Sequence, residues 1–124
     1  MKEYSYTRVT NLNYLREASA GNEGFIKEMI GIFLKQTPEF IKQLDHYGQD
    51  QNWSEFRKVM HKLKPTIFMM GIHSMKPVIK EIEQCSKDLK NIASLPELLT
   101  NLSLCCQKAY TELADEMREY SANR

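Results

Sequence analysis

The sequence predicts an all-α protein: an antiparallel up-down four-helix bundle with a short additional N-terminal helix. Three observations predict it. Apolar residues recur at the 3.6-residue helical period along four long segments, and no alternating stretch of useful length competes as a strand. The 5 glycines and 4 prolines are too few for a turn-rich β-sandwich. The connections between segments are only a few residues long, which makes consecutive helices pack antiparallel. At 124 residues, 42% hydrophobic and 27% charged, the chain suits one soluble domain spanning its whole length.

The short helix is expected over about 11–20, with Leu12, Leu15 and Ala18 apolar and Gly21 ending it. The first long helix opens at Asn22, a good N-cap, and runs to about Tyr47, with Gly48 just beyond. Its stripe is Phe25, Ile26, Met29, Ile30, Phe33, Phe40, Ile41 and Leu44; Pro38 bends it without ending it, because the stripe resumes at Phe40. Asn52 and Glu55 have the spacing of a capping box, starting a helix over about 52–70 that stops at Gly71. The next covers about 74–90, with Pro77 in its first turn and Met75, Val78, Ile79, Ile82 and Leu89 on one side. Ser94 caps the last, over about 95–120, whose stripe is Leu95, Leu98, Leu99, Leu102, Ala109, Leu113 and Met117.

Composition excludes several functions. No stretch approaches the ~18 apolar residues of a membrane span, and Met1 to Tyr6 lack the apolar core of a leader, so a cytoplasmic, free-standing protein is expected. Cys85, Cys105 and Cys106 are odd in number and sit in apolar helical patterns, which reads as reduced, buried thiols. His46, His61 and His73 are not spaced to share a helix face as metal ligands, so no metal site is expected. Hydrolase elbows, phosphate-binding loops and dinucleotide glycine motifs are absent.

The third helix carries the informative pattern. At ~100° per residue, Phe56, Val59, Leu63, Thr66 and Met70 gather opposite His61, with Met60 and Ile67 flanking them as the core side. Arg57, Lys58, Lys64, Pro65 and Phe68 fall within ~60° of His61, so the imidazole is expected to be exposed and ringed by cations. Cations around an imidazole favour its neutral, nucleophilic form, and Lys64 and Arg57 are placed to neutralise a phosphoryl group on it. Pro65 lacks the N–H that would bond the His61 carbonyl. The net charge of +1 hides this patch: residues 56–80 contain six Lys or Arg and no acid, leaving 11 basic against 16 acidic residues elsewhere.

His61-Lys62-Leu63-Lys64, then Met70-Gly71-Ile72, then Ile82-Glu83, resembles the signature of the histidine-containing phosphotransfer family. The resemblance covers nearly the whole chain, including the order of a short helix before the longer ones. It implies that His61 is the phosphoacceptor, through Nε2, that Lys64 stabilises the phosphoryl group, and that Gly71 closes the histidine helix. It implies a monomeric phosphorelay carrier rather than an enzyme. Its partners would be the receiver domain of a hybrid sensor kinase, a response regulator, or both, with Mg²⁺ held by the receiver and no cofactor held by this chain. Arg57, Lys58, Pro65, Phe68 and Gly71 are the expected partner-binding residues. The sequence departs from the family at Pro65, where a glycine is usual, at Thr66 and Ile67, where small residues are usual, and at Phe68, which becomes a candidate docking contact.

Two other readings compete. One is a helical interaction module that binds an acidic protein through the basic face, with His61 never modified. The other is a weak nucleic-acid binder using the same cations; the lack of a helix-turn-helix and the acidic remainder of the chain weigh against it, so no nucleic-acid partner is expected.

Overall fold

Residues 7–122 are described by a computed structural model, and all regular structure among them is helical. The elements are α1 (Asn13–Ala18), α2 (Glu23–Gln49), α3 (Trp53–Met69), α4 (Lys76–Asp88) and α5 (Leu95–Ala122), with 3-10 turns at His73–Met75 and Ile92–Ser94. The first six residues, on which the leader argument rests, lie outside the described residues.

Asn22 caps α2 as expected, its side chain accepting from the Phe25 N–H at 2.9 Å, and the helix continues through Pro38. Its end differs from expectation. Gly48 lies inside the helix, and the left-handed position falls on Gln51 at φ +57°. Gln51 N–H bonds the Gly48 carbonyl, and Asn52 N–H bonds the Tyr47 carbonyl. That pair of reverse bonds satisfies the last carbonyls of the helix even without a glycine at the turn. Phe25 is exposed rather than part of the core, because the periodic stripe is wider than the face the neighbouring helices cover.

Only half of the expected capping box forms at α3. The Asn52 side chain accepts from the Glu55 N–H at 3.4 Å, but the Asn52 N–H is already committed to Tyr47, and the Glu55 carboxylate turns to Lys58 at 3.0 Å. Met60 and Ile67, expected to flank the core side, are fully buried with Phe56, Leu63 and Met70, whereas Thr66, expected among them, is only half-buried. The helix runs on through Pro65 and closes at Gly71, φ +70°, where Gly71 N–H bonds Phe68 O and Ile72 N–H bonds Ile67 O.

A 3-10 turn leads into α4, which places Pro77 in the first helical turn, where it costs no hydrogen bond. The helix ends at Asp88 rather than Lys90. Leu89 takes a left-handed conformation (φ +57°) and points to solvent, so it is not part of the stripe; Cys85 and Ser86 are buried in its stead. Ser94 belongs to the second 3-10 turn instead of standing as a separate cap.

Each long helix packs on two others: α2 and α4 both contact α3 and α5. Opposed pairs give the directions. Arg57 meets Ser86 while Lys64 meets Glu83, so α3 and α4 run antiparallel. Gly31 faces Met117 while Gly48 faces Leu99, so α2 and α5 do too. The core they enclose includes Ile30, Phe33, Phe56, Leu63, Ile67, Ile82, Leu102 and Leu113. Before α1, the chain is tied to the side of α5. The buried Glu112 carboxylate on α5 accepts from Val9 N–H and Thr10 N–H at 2.9 Å each and from the Thr10 hydroxyl at 2.6 Å.

Candidate functional site

His61 lies in the middle of α3 on the side turned away from Phe56, Leu63 and Met70, and its imidazole is exposed. It stands there because the apolar residues of α3 claim the opposite side of a helix that has only one buried stripe. An open groove between α3 and α4 runs beside it. From α3 the groove receives Arg57, His61, Lys64 and Phe68. From α4 it receives Lys76, Lys80, Glu83 and Lys87, which recur at the helical period and therefore line one edge together.

The cations around His61 are not equivalent. The Lys64 ammonium, one turn on, bonds both oxygens of Glu83, at 3.2 and 3.4 Å. Arg57, one turn back, donates to the Ser86 carbonyl oxygen at 2.9 Å. Lys76 sits over the Phe68 ring, its nitrogen 5.7 Å from the centroid, so Phe68 is half-buried under a charge rather than projecting freely. Lys80 and Lys87 are exposed on α4. The groove thus presents five basic side chains against one carboxylate, an environment suited to a dianionic group at the imidazole.

The structure brings together His61, Lys64, Arg57 and Phe68, and leaves three expected residues outside the groove. Lys58 is exposed and paired with Glu55 at 3.0 Å. Pro65 is exposed beside His61 but is not a groove residue. Gly71 is buried under Asn11, whose N–H bonds the Met70 carbonyl at 2.9 Å, so its expected place on the partner surface is corrected to a structural one. Sequence reasoning missed Lys87 and saw Glu83 only as part of a motif. The signal that finds both is the helical spacing of charged residues along α4, continued past Lys80.

Among the described residues, no three of His, Cys, Asp and Glu converge to hold a metal ion, and no helix is long and apolar enough to cross a membrane. The three cysteines are free and buried away from the groove. Burial pushes all three thiols up, Cys106 to about 12, which keeps them protonated and poor as nucleophiles or ligands.

A family model described as Hpt domain matches residues 28–122, from the second turn of α2 to the end of α5, and so contains His61, Lys64 and Glu83. No curated protein and no solved structure matches the chain.

Proposed function

The chain belongs to the Hpt domain family, the histidine phosphotransfer modules of two-component signalling, and from that premise we propose that His61 is its phosphoacceptor. The observation that carries this reading is an exposed imidazole at mid-helix, one turn from the half-buried Lys64, at the edge of a groove with five cations. The donor is an aspartyl phosphate of a receiver domain, belonging to a hybrid sensor kinase or a response regulator, in the cytoplasm. The lone pair of His61 Nε2 attacks phosphorus, the N–P bond forms as the P–O bond breaks, and the aspartate leaves as a carboxylate with the bonding electrons. A proton on Nδ1 stays where it is. Transfer to a second receiver is the same exchange in reverse.

This chain's part is to offer the nucleophile without steric obstruction and to neutralise the phosphoryl oxygens. Lys64 serves from one side and Arg57 from the other, each within one turn of His61. The receiver contributes its acidic pocket and Mg²⁺. The module acts as a monomeric carrier and completes no catalytic cycle alone.

The test is incubation with a receiver domain bearing labelled aspartyl phosphate. Acid-labile, base-stable label on the protein, lost in His61→Gln, is the expected result. No label from several receivers, with binding through the groove intact, would favour the unmodified interaction module instead. Label persisting in His61→Gln would assign the acceptor elsewhere.

A further inference from the structure

Glu83 holds the Lys64 ammonium with both carboxylate oxygens, at 3.2 and 3.4 Å, and the two side chains are only 38% and 30% exposed. The pair links α4 to the turn of α3 that carries His61. Arg57 is engaged as well, but by the neutral carbonyl of Ser86 at 2.9 Å. The two partners differ in consequence. A carbonyl that keeps its hydrogen bond does not oppose a phosphoryl group nearby, whereas a carboxylate competes with that group for the lysine.

We propose that Glu83 tunes how tightly His61 holds a phosphoryl group, by holding Lys64 while the imidazole is free and yielding it when the imidazole is loaded. This rests on His61 being the acceptor. A phosphoryl group adds about −1.5 to −2 charges and three strong acceptor oxygens, which makes it a better partner for Lys64 than a single carboxylate is. The exchange moves hydrogen bonds only; no proton is transferred, and the only covalent changes are the N–P and P–O bonds already described. Because the gain at the phosphoryl group is offset by the loss at Glu83, the loaded state is stabilised less than a free lysine would stabilise it. Glu83 is not stranded afterwards: Lys80 and Lys87 lie three residues before and four after it on the same helix side. The carrier therefore keeps a lysine pre-positioned beside the acceptor and still releases phosphate readily to the next receiver. Glu83 is a positioning residue, acting through Lys64.

The experiment equilibrates labelled phosphoryl between a receiver domain and the wild-type protein, Glu83→Gln, Glu83→Asp, Lys64→Gln and the Lys64→Gln/Glu83→Gln double variant. The readout is the ratio of label on the carrier to label on the receiver. Glu83→Gln is expected to raise that ratio about threefold to fivefold, the size expected for a partly exposed charge pair. Glu83→Asp stays near wild type, and in the Lys64→Gln background Glu83→Gln changes nothing. An unchanged ratio in Glu83→Gln overturns the inference while leaving the acceptor reading intact. An equal rise with and without Lys64 also overturns it, since Glu83 would then act directly. Absence of label on the wild-type protein overturns the acceptor reading and this inference with it. A purely structural role would lower stability in Glu83→Gln without moving the ratio.

Discussion

At Gly71 the backbone sits at φ +70°, and a Cβ there would collide with the Asn11 carbonyl oxygen. At Gly48, inside α2, a Cβ would lie 3.5 Å from the Phe56 ring and 3.8 Å from Leu99, which is ordinary van der Waals contact. The same substitution should therefore have opposite signs at the two sites. Gly71→Ala forces a non-glycine residue into the left-handed region and displaces Asn11, whose N–H holds the Met70 carbonyl; a loss of about 2–4 kcal/mol is expected. Gly48→Ala removes backbone freedom from the unfolded chain at a helical position that has room, for a gain of about 0.5–1 kcal/mol. Denaturant midpoints of the two variants, compared at equal slope, check both. Both glycines read as helix terminators in the sequence, yet only one is. Whether a glycine ends a helix depends on the φ its neighbours impose, and at the end of α2 that conformation is taken by Gln51.

Before α1, the segment Val9–Asn11 behaves as a strap from α5 to the C-terminal end of α3. Its hold on α5 is the Glu112 carboxylate, and its hold on α3 is the Asn11 N–H to Met70 O bond. Glu112→Gln replaces an oxygen by an NH₂ group that faces other donors, so a loss of about 1–3 kcal/mol is expected. The signature is faster hydrogen exchange at the Val9 and Thr10 amides while α5 stays protected. Nothing local in the sequence marks this contact, because residues 9 and 112 are joined only by the fold. The helices themselves were legible, since each long one repeats its apolar residues over several turns. Legibility fails where a neighbour decides the outcome: Phe25 and Leu89 fit the period but have no helix over them, and Thr66, expected on the core side of α3, is only half-buried. The site follows the same division. Exposure of His61 follows from the single apolar stripe of α3, whereas the partners of Lys64 and Arg57 sit on α4 and needed the packing of the two helices.

A chain of net charge +1 has little long-range attraction for any partner as a whole, so orientation must come from how that charge is distributed. Packing α4 beside α3 brings Lys76, Lys80 and Lys87 to the edge of the groove that holds His61, while the excess acid lies outside residues 56–80. The protein is thereby polarised about His61, and with His61 as the proposed acceptor an acidic receiver surface is expected to be steered to the groove. Replacing Lys80 and Lys87 by Glu tests this without touching His61, Lys64 or Arg57, and both side chains are exposed, so the fold is expected to survive. Phosphoryl transfer from a receiver to the double variant should slow by roughly 10-fold or more at low ionic strength, within the range of electrostatic steering. The deficit should shrink as salt rises and the screening length falls from ~10 Å at 0.1 M towards ~3 Å at 1 M. Stopped-flow transfer rates across that salt series check it. A deficit that persists unchanged in high salt would mean that the two lysines make short-range contacts with the partner rather than steering its approach.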